Sequence, residues 1–99
     1  MSPAPPNWFY VYLLKGKRDS SIYIGCTSNL RKRLEEHKKG KIYSTKKMLP
    51  VELIYFEAYN SKKAAFEREK RLKHYGSALR HLKLRITPSL KEMGKGGAG

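Results

Sequence analysis

The sequence predicts an α+β domain: a small, three-stranded, mostly antiparallel sheet flanked by helices, in the order β-β-α-β-α-α. Three observations lead there. Two short runs rich in aromatic and β-branched residues, Trp8 to Leu14 and Ile22 to Gly25, bracket a polar loop. A third such run, Val51 to Tyr59, is the most apolar stretch of the chain. Around it lie segments that open on capping residues and repeat their apolar side chains at helical spacing.

Met1 to Asn7, with Pro3, Pro5 and Pro6, reads as a flexible lead. Trp8 to Leu14 is the first strand, and Gly16, Asp19, Ser20 and Ser21 mark a hairpin loop over Lys15 to Ser21. Ile22 to Gly25 is the return strand. Thr27-Ser28-Asn29 offers N-cap groups to a helix from about Leu30 to Lys39, which Gly40 stops. Lys41 to Leu49 reads as a basic loop closed by Pro50, and Val51 to Tyr59 as the third strand. Asn60-Ser61 caps a helix to about His74. Tyr75-Gly76-Ser77 breaks it, and a last helix runs to about Ile86, where Thr87-Pro88 ends it. The domain is expected over 8–86, with 87–99 a flexible, glycine-rich tail.

The chain's 99 residues make one domain. Lys and Arg number 22 against 8 Asp and Glu, a formal net charge of +14. That excess calls for a polyanionic partner, and nucleic acid, DNA first, is the leading candidate. Residues 15–47 hold eleven basic and three acidic side chains, and 62–85 hold nine and two. Two basic segments therefore flank a central apolar strand. One cysteine, Cys26, excludes an internal disulfide and a multi-cysteine zinc site, and fits a reducing, cytoplasmic setting. Following Gly25, it reads as a small packing residue. No secretory signal or membrane-spanning run is recognised, and no membrane partner is expected.

Polar residues intrude on faces that should be apolar. At ~100° per residue, Leu30, Arg33, Leu34 and His37 form one stripe of the first helix. An arginine and a histidine there are either a snorkelling side chain and a satisfied edge residue, or members of a polar cleft. In the second helix Glu69 falls within the stripe of Ala65, Phe66 and Leu72. A carboxylate there wants a cation: Lys73 at i+4, or a metal such as Mg²⁺, which needs few protein ligands. Tyr12 and Tyr23, eleven residues apart, bracket the hairpin, and Gly25 shares a strand face with Tyr23 and allows close approach. Tyr43, Tyr55, Tyr59 and Tyr75 read as structural or stacking residues. Lys32, Lys46, Lys47 and Lys73 are the lysines placed to meet nucleic acid.

These residues resemble a GIY-YIG endonuclease domain over about Phe9 to Ile86. The resemblance is closest to the short single-domain bacterial branch that is similar to the N-terminal domain of the excision-repair nuclease. Tyr10-Val11-Tyr12 retains only the last tyrosine of the opening motif, and Tyr23-Ile24-Gly25 is intact. Arg33 stands eight residues after the motif glycine, His37 four further on, and Ala65 to Glu69 fits the A-x-x-x-E context of the family's metal ligand. The resemblance implies one-metal phosphodiester hydrolysis with Mg²⁺ or Mn²⁺ on Glu69. Tyr12 would be general base or relay, Tyr23 would position water or phosphate, Arg33 would stabilise phosphate charge, and His37 would assist a proton transfer or bind phosphate. The family's late asparagine has no counterpart, since Asn29 sits at a helix cap. Beside the endonuclease reading stand a catalytically inactive nucleic-acid-binding module using the same groove, and a basic RNA-associated structural protein.

Overall fold

A computed structural model describes residues 7–94 and has the expected α+β architecture. Its elements are β1 (Phe9–Gly16), β2 (Ile22–Thr27), α1 (Leu30–Lys38), α2 (Tyr43–Lys46), β3 (Val51–Tyr59), α3 (Lys62–His74) and α4 (Gly76–Gly94). The sheet order is β2-β1-β3 with both pairings antiparallel. The central strand is covered on both faces, so Val11 to Leu14 are at most 1% exposed and the run lacks polar alternation.

Alternation instead sorts the residues between two cores. Val11 and Leu13 of β1 and Ile24 of β2 pack under α3 and α4 with Ala65, Leu72, Leu82 and Ile86. On the other face Tyr12, Leu14 and Val51 pack against Leu30 and Leu34 of α1. The β1–β3 register shifts after Leu13, which pairs with Tyr55 while Leu14 pairs with Leu53. The capping signals hold. Asn29 Oδ1 accepts from the Lys32 N–H at 3.1 Å, Ser61 Oγ accepts from the Ala64 N–H at 3.1 Å, and Gly40 closes α1 at φ 74°.

Four expectations change. The basic loop after Gly40 contains a one-turn helix, α2. Both hairpin strands run two residues past their expected ends, since ladder pairing continues to Lys15↔Ile22 and Tyr10↔Thr27. Phe66 is 49% exposed rather than part of the buried stripe, with the Lys62 ammonium 5.6 Å from its ring centre. The last helix does not stop at Thr87-Pro88 but carries Pro88 inside it to Gly94. Proline removes the donor to the carbonyl of Leu84, a residue 63% exposed, so water can replace it. The lead over 1–6 and the tail from 95 onward lie outside the described residues.

One ion pair ties α3 to the sheet. Arg68 Nε and Nη2 donate to the Glu57 carboxylate at 2.9 and 2.8 Å, and the Tyr55 and Tyr59 hydroxyls donate to the same group. Burial alone would raise the Glu57 pKa, but the bonds from Arg68, Tyr59 and Tyr55 outweigh it and hold the carboxyl below its usual range. A depressed carboxyl pKa stabilises the fold above the unfolded value, and that stability is lost as pH falls through the folded one. Glu57→Gln is therefore expected to cost about 2 kcal/mol at neutral pH. It should also flatten the acid decline in stability, as read by urea unfolding across a pH series; parallel acid limbs would exclude this role.

Gly25 is set by packing. It pairs directly with Tyr12, and a Cβ placed on it would lie 2.5 Å from both Tyr12 Cζ and Oη. Gly25→Ala must push the Tyr12 ring aside, with an expected loss of about 1–3 kcal/mol in thermal or urea unfolding. Unchanged stability and unchanged Tyr12 resonances would show that the ring is not held there.

Candidate active site

The site grows from β1, β2 and α1. Tyr12 and Tyr23 point to the same face of the hairpin, because Tyr12 pairs with Gly25 and Leu14 with Tyr23. The bare Gly25 lets the hydroxyl end of Tyr12 pass across β2 toward α1. There Tyr12 Oη meets His37 Nε2 at 2.7 Å, and His37 Nδ1 meets Thr45 Oγ1 at 2.7 Å. Both His37 and Thr45 are fully buried. The three rings form one cluster: centroids lie 6.2 Å apart for Tyr12–Tyr23, 5.6 Å for Tyr12–His37 and 5.1 Å for Tyr23–His37.

Hydrogen-bond logic assigns the tautomer. Thr45 Oγ1 also lies 3.5 Å from the Ile42 carbonyl, which can only accept. If Thr45 donates there, it accepts from His37 Nδ1–H, and Nε2 keeps the lone pair that accepts the Tyr12 proton. The opposite tautomer would turn the Tyr12 proton toward the Arg33 cation, which cannot accept it. With that tautomer the chain runs from Tyr12 O–H to His37 to Thr45 to the Ile42 carbonyl.

The electrostatics keep both partners neutral. Burial pushes the Tyr12 phenol up to about 12, while Arg33 beside the hydroxyl opposes the rise and the Tyr23 and Glu69 charges add to it. Burial, then the Arg33 charge, lower the His37 pKa below its ordinary value. The imidazole is thus a neutral acceptor at pH 7.

Arg33 lies at the rim, its side chain 38% exposed, with Nη1 3.3 Å from Glu36 Oε1. The polar stripe of the first helix is therefore divided: His37 is interior and hydrogen-bonded, and Arg33 reaches from the edge. Glu69, on α3, bears on the same region, since its charge acts on both Tyr12 and Cys26. Its side chain is 20% exposed, and its carboxylate contacts Lys73 Nζ at 3.1 Å, so Lys73 is first of all its ion-pair partner. Lys32, Lys46 and Lys47 are exposed and form no ion pair among the described residues. Cys26 packs against the core, and burial raises its thiol pKa, which suits a packing residue.

Among the described residues no group of three or more His, Cys, Asp or Glu could enclose a metal. Glu69 offers one hard oxygen donor, held by a single i,i+4 pair of a kind worth about 0.2–0.5 kcal/mol on a helix surface. That fits a hydrated Mg²⁺ or Mn²⁺, which takes one carboxylate and fills its shell from water and phosphate oxygens. Thr45 is the residue that sequence reasoning missed. A threonine in a lysine-rich loop carries no signal of its own, and only the buried ring of His37, needing a second partner, could have pointed to it.

The family model for the GIY-YIG catalytic domain matches residues 8–86. The chain is 41% identical over 86 residues to UPF0213 protein CPE1444 of Clostridium perfringens, covering 84% of this chain and 88% of that one. It is 34% identical over 70 residues to UPF0213 protein HQ_3675A of Haloquadratum walsbyi, covering 70% and 78%. The solution NMR structure of UPF0213 protein BH0048 from Bacillus halodurans superposes with a TM-score of 0.54 at 30% identity, covering 83% of this chain and 89% of that one. The GIY-YIG sheet and helix order is present here, and no described helix is long and apolar enough to cross a membrane. By domain match and by similarity along most of its length, the chain belongs to the GIY-YIG family, among its short UPF0213 members.

Proposed function

We propose that this protein is a metal-dependent endonuclease that hydrolyses DNA phosphodiester bonds by a one-metal mechanism, selective for substrate structure and acting in DNA repair or processing. The observation that carries the reading is the Tyr12–His37–Thr45 chain, which sets a buried, protonated phenol against a buried, neutral imidazole, with the Tyr23 ring beside them and Arg33 at the rim. Membership of a nuclease family and the charge of +14 support nucleic acid as the substrate.

Tyr12 acts as a relay rather than as a standing phenolate, because its pKa of about 12 leaves it protonated at neutral pH. As water attacks phosphorus, its proton passes to the Tyr12 oxygen and the Tyr12 proton passes to His37 Nε2. The new P–O bond forms, the bond to the leaving oxygen breaks, and that oxygen takes its proton from solvent. Thr45 holds Nδ1–H, so Nε2 remains the acceptor. Arg33 stabilises the charge that gathers on the phosphate, and Tyr23 orients the water or a phosphate oxygen. Glu69 would hold Mg²⁺ or Mn²⁺, which supplies Lewis-acid stabilisation of the phosphate when bound. A second reading, a binding module without catalysis, is favoured by the Glu69–Lys73 ion pair, in which the carboxylate already has a cation.

Cleavage of labelled single-stranded, duplex and flap DNA with Mg²⁺, Mn²⁺ or chelator separates the two. Wild type should cut only with metal, and Glu69→Ala should bind but not cut. Tyr12→Phe should lower the rate about 10³-fold, and Thr45→Val about tenfold, by loosening the imidazole. Binding without cutting on every substrate would leave the module reading.

The rate profile tests the relay. His37 must be neutral to accept a proton, and its depressed pKa places the acid limb below about pH 6.5. Above that limb the rate should stay level. A rate still climbing through the alkaline range, toward the Tyr12 value of about 12, would instead identify a phenolate base and exclude the relay.

A further inference from the structure

A second basic feature lies away from the rings, in the cleft between α3 and α4. It has a volume of about 560 Å³ and is lined by Arg68, Arg71, Tyr75, Ser77, His81 and Arg85, with Ala78 and Leu82 at its base. No acidic side chain lines it. Arg68 already holds Glu57, but Arg71 and Arg85 are exposed and make no ion pair among the described residues. Arg71 and Arg85 line the same cleft from two helices, and each leaves a guanidinium able to bond a phosphate. Tyr75, 62% exposed, presents an aromatic surface at the same cleft.

The cleft is joined to the candidate active site by the surface of α3. Taking Glu69 as origin at about 100° per residue, Lys73 falls near 40°, Lys70 near 100°, His74 near 140° and Arg71 near 200°. All four are exposed. Basic side chains thus lead round the last turns of α3 from the carboxylate toward the cleft, with the exposed Glu67, near 160° and one turn before Arg71, as their acidic neighbour.

We infer that the α3–α4 cleft is a second nucleic-acid contact: it holds backbone phosphates of the bound strand on Arg71 and Arg85, away from the scissile bond, with a base stacked on Tyr75. The inference rests on the nucleic-acid reading above, and it adds a determinant of strand path and affinity outside the catalytic residues. Guanidiniums bind phosphate in a forked, bidentate way, and an aromatic face beside them is the pairing by which unpaired strands are held. An acidic peptide would match the charge but leave Tyr75 without a purpose.

The test is metal-free binding of labelled single-stranded DNA, single-stranded RNA and duplex DNA across a salt series, with wild type, Arg71→Ala/Arg85→Ala and Tyr75→Ala. Each lost phosphate contact should reduce the slope of log affinity against log salt by about 0.7 on single strands or 0.9 on duplex. The double variant should bind about tenfold more weakly at low salt. Tyr75→Ala should weaken single-strand binding while leaving its slope unchanged. Amide shifts of Tyr75, Ser77 and His81 on titrating wild type with oligonucleotide supply a reading that needs no variant. Unchanged slope and affinity in the folded double variant, or unmoved amides, would overturn the cleft. So would an oligo-glutamate that competes as well as an oligonucleotide of equal charge. Cutting by wild type with Mg²⁺ is scored separately, so the cleft can fail while the nuclease reading stands, and the reverse.

Discussion

The hydroxyl end of the Tyr12 ring lies over Gly25 and bonds the buried ring of His37, and the rest of the site is arranged around this contact. It requires three separate structural decisions. The hairpin register must place a residue without a side chain opposite Tyr12. α1 must end so that its last turn brings His37 onto the sheet, and Gly40, in the left-handed region, closes that turn. The segment after Gly40 must then fold back so that Thr45 reaches the second ring nitrogen. A slip in any of them would strand a buried polar group, which is costly where water cannot replace the lost bond. The same contacts that hold the interior together line up Tyr12, His37 and Thr45 as one hydrogen-bonded chain.

Burial sets the protonation of this chain. It keeps Tyr12 protonated and His37 neutral, opposite shifts with one cause: neither the phenolate nor the imidazolium is well solvated there. Arg33 stays at the rim, partly exposed and paired with Glu36, and so bears less of the desolvation cost of a fully buried ion. Glu69 belongs to a different layer, α3, whose position on the sheet is secured by the Arg68–Glu57 fork and the two tyrosines bonded to it. One helix therefore divides its polar residues. Arg68 anchors it, Glu69 pairs with Lys73, and Arg71 opens onto the cleft with α4.

Much of this was legible in the residues. The strand runs, the caps at Asn29 and Ser61, the stop at Gly40 and the break at Tyr75 are local signals, and each matches the structure. Tyr12, Tyr23, Arg33, His37 and Glu69 could be singled out as polar or aromatic groups on faces otherwise destined for a core. What was less legible depended on surroundings. Phe66 fits an apolar stripe by angle yet lies outside it, because α3 presents only Ala65 and Leu72 to the sheet. Pro88 signals an end, yet the helix passes through it where the lost hydrogen bond faces water.

The sequence by itself determined the three strands and three main helices in their order, the family pattern and the positive charge, since these follow from spacing and composition. Only the tertiary structure decided the partners: Thr45 for His37, Glu57 for Arg68, and the meeting of α3 and α4 that gathers arginines from two helices into one cleft. The reason is physical. Local spacing governs which side of a strand or helix a residue occupies, whereas hydrogen bonds and charge clusters between distant segments exist only once the chain has closed on itself.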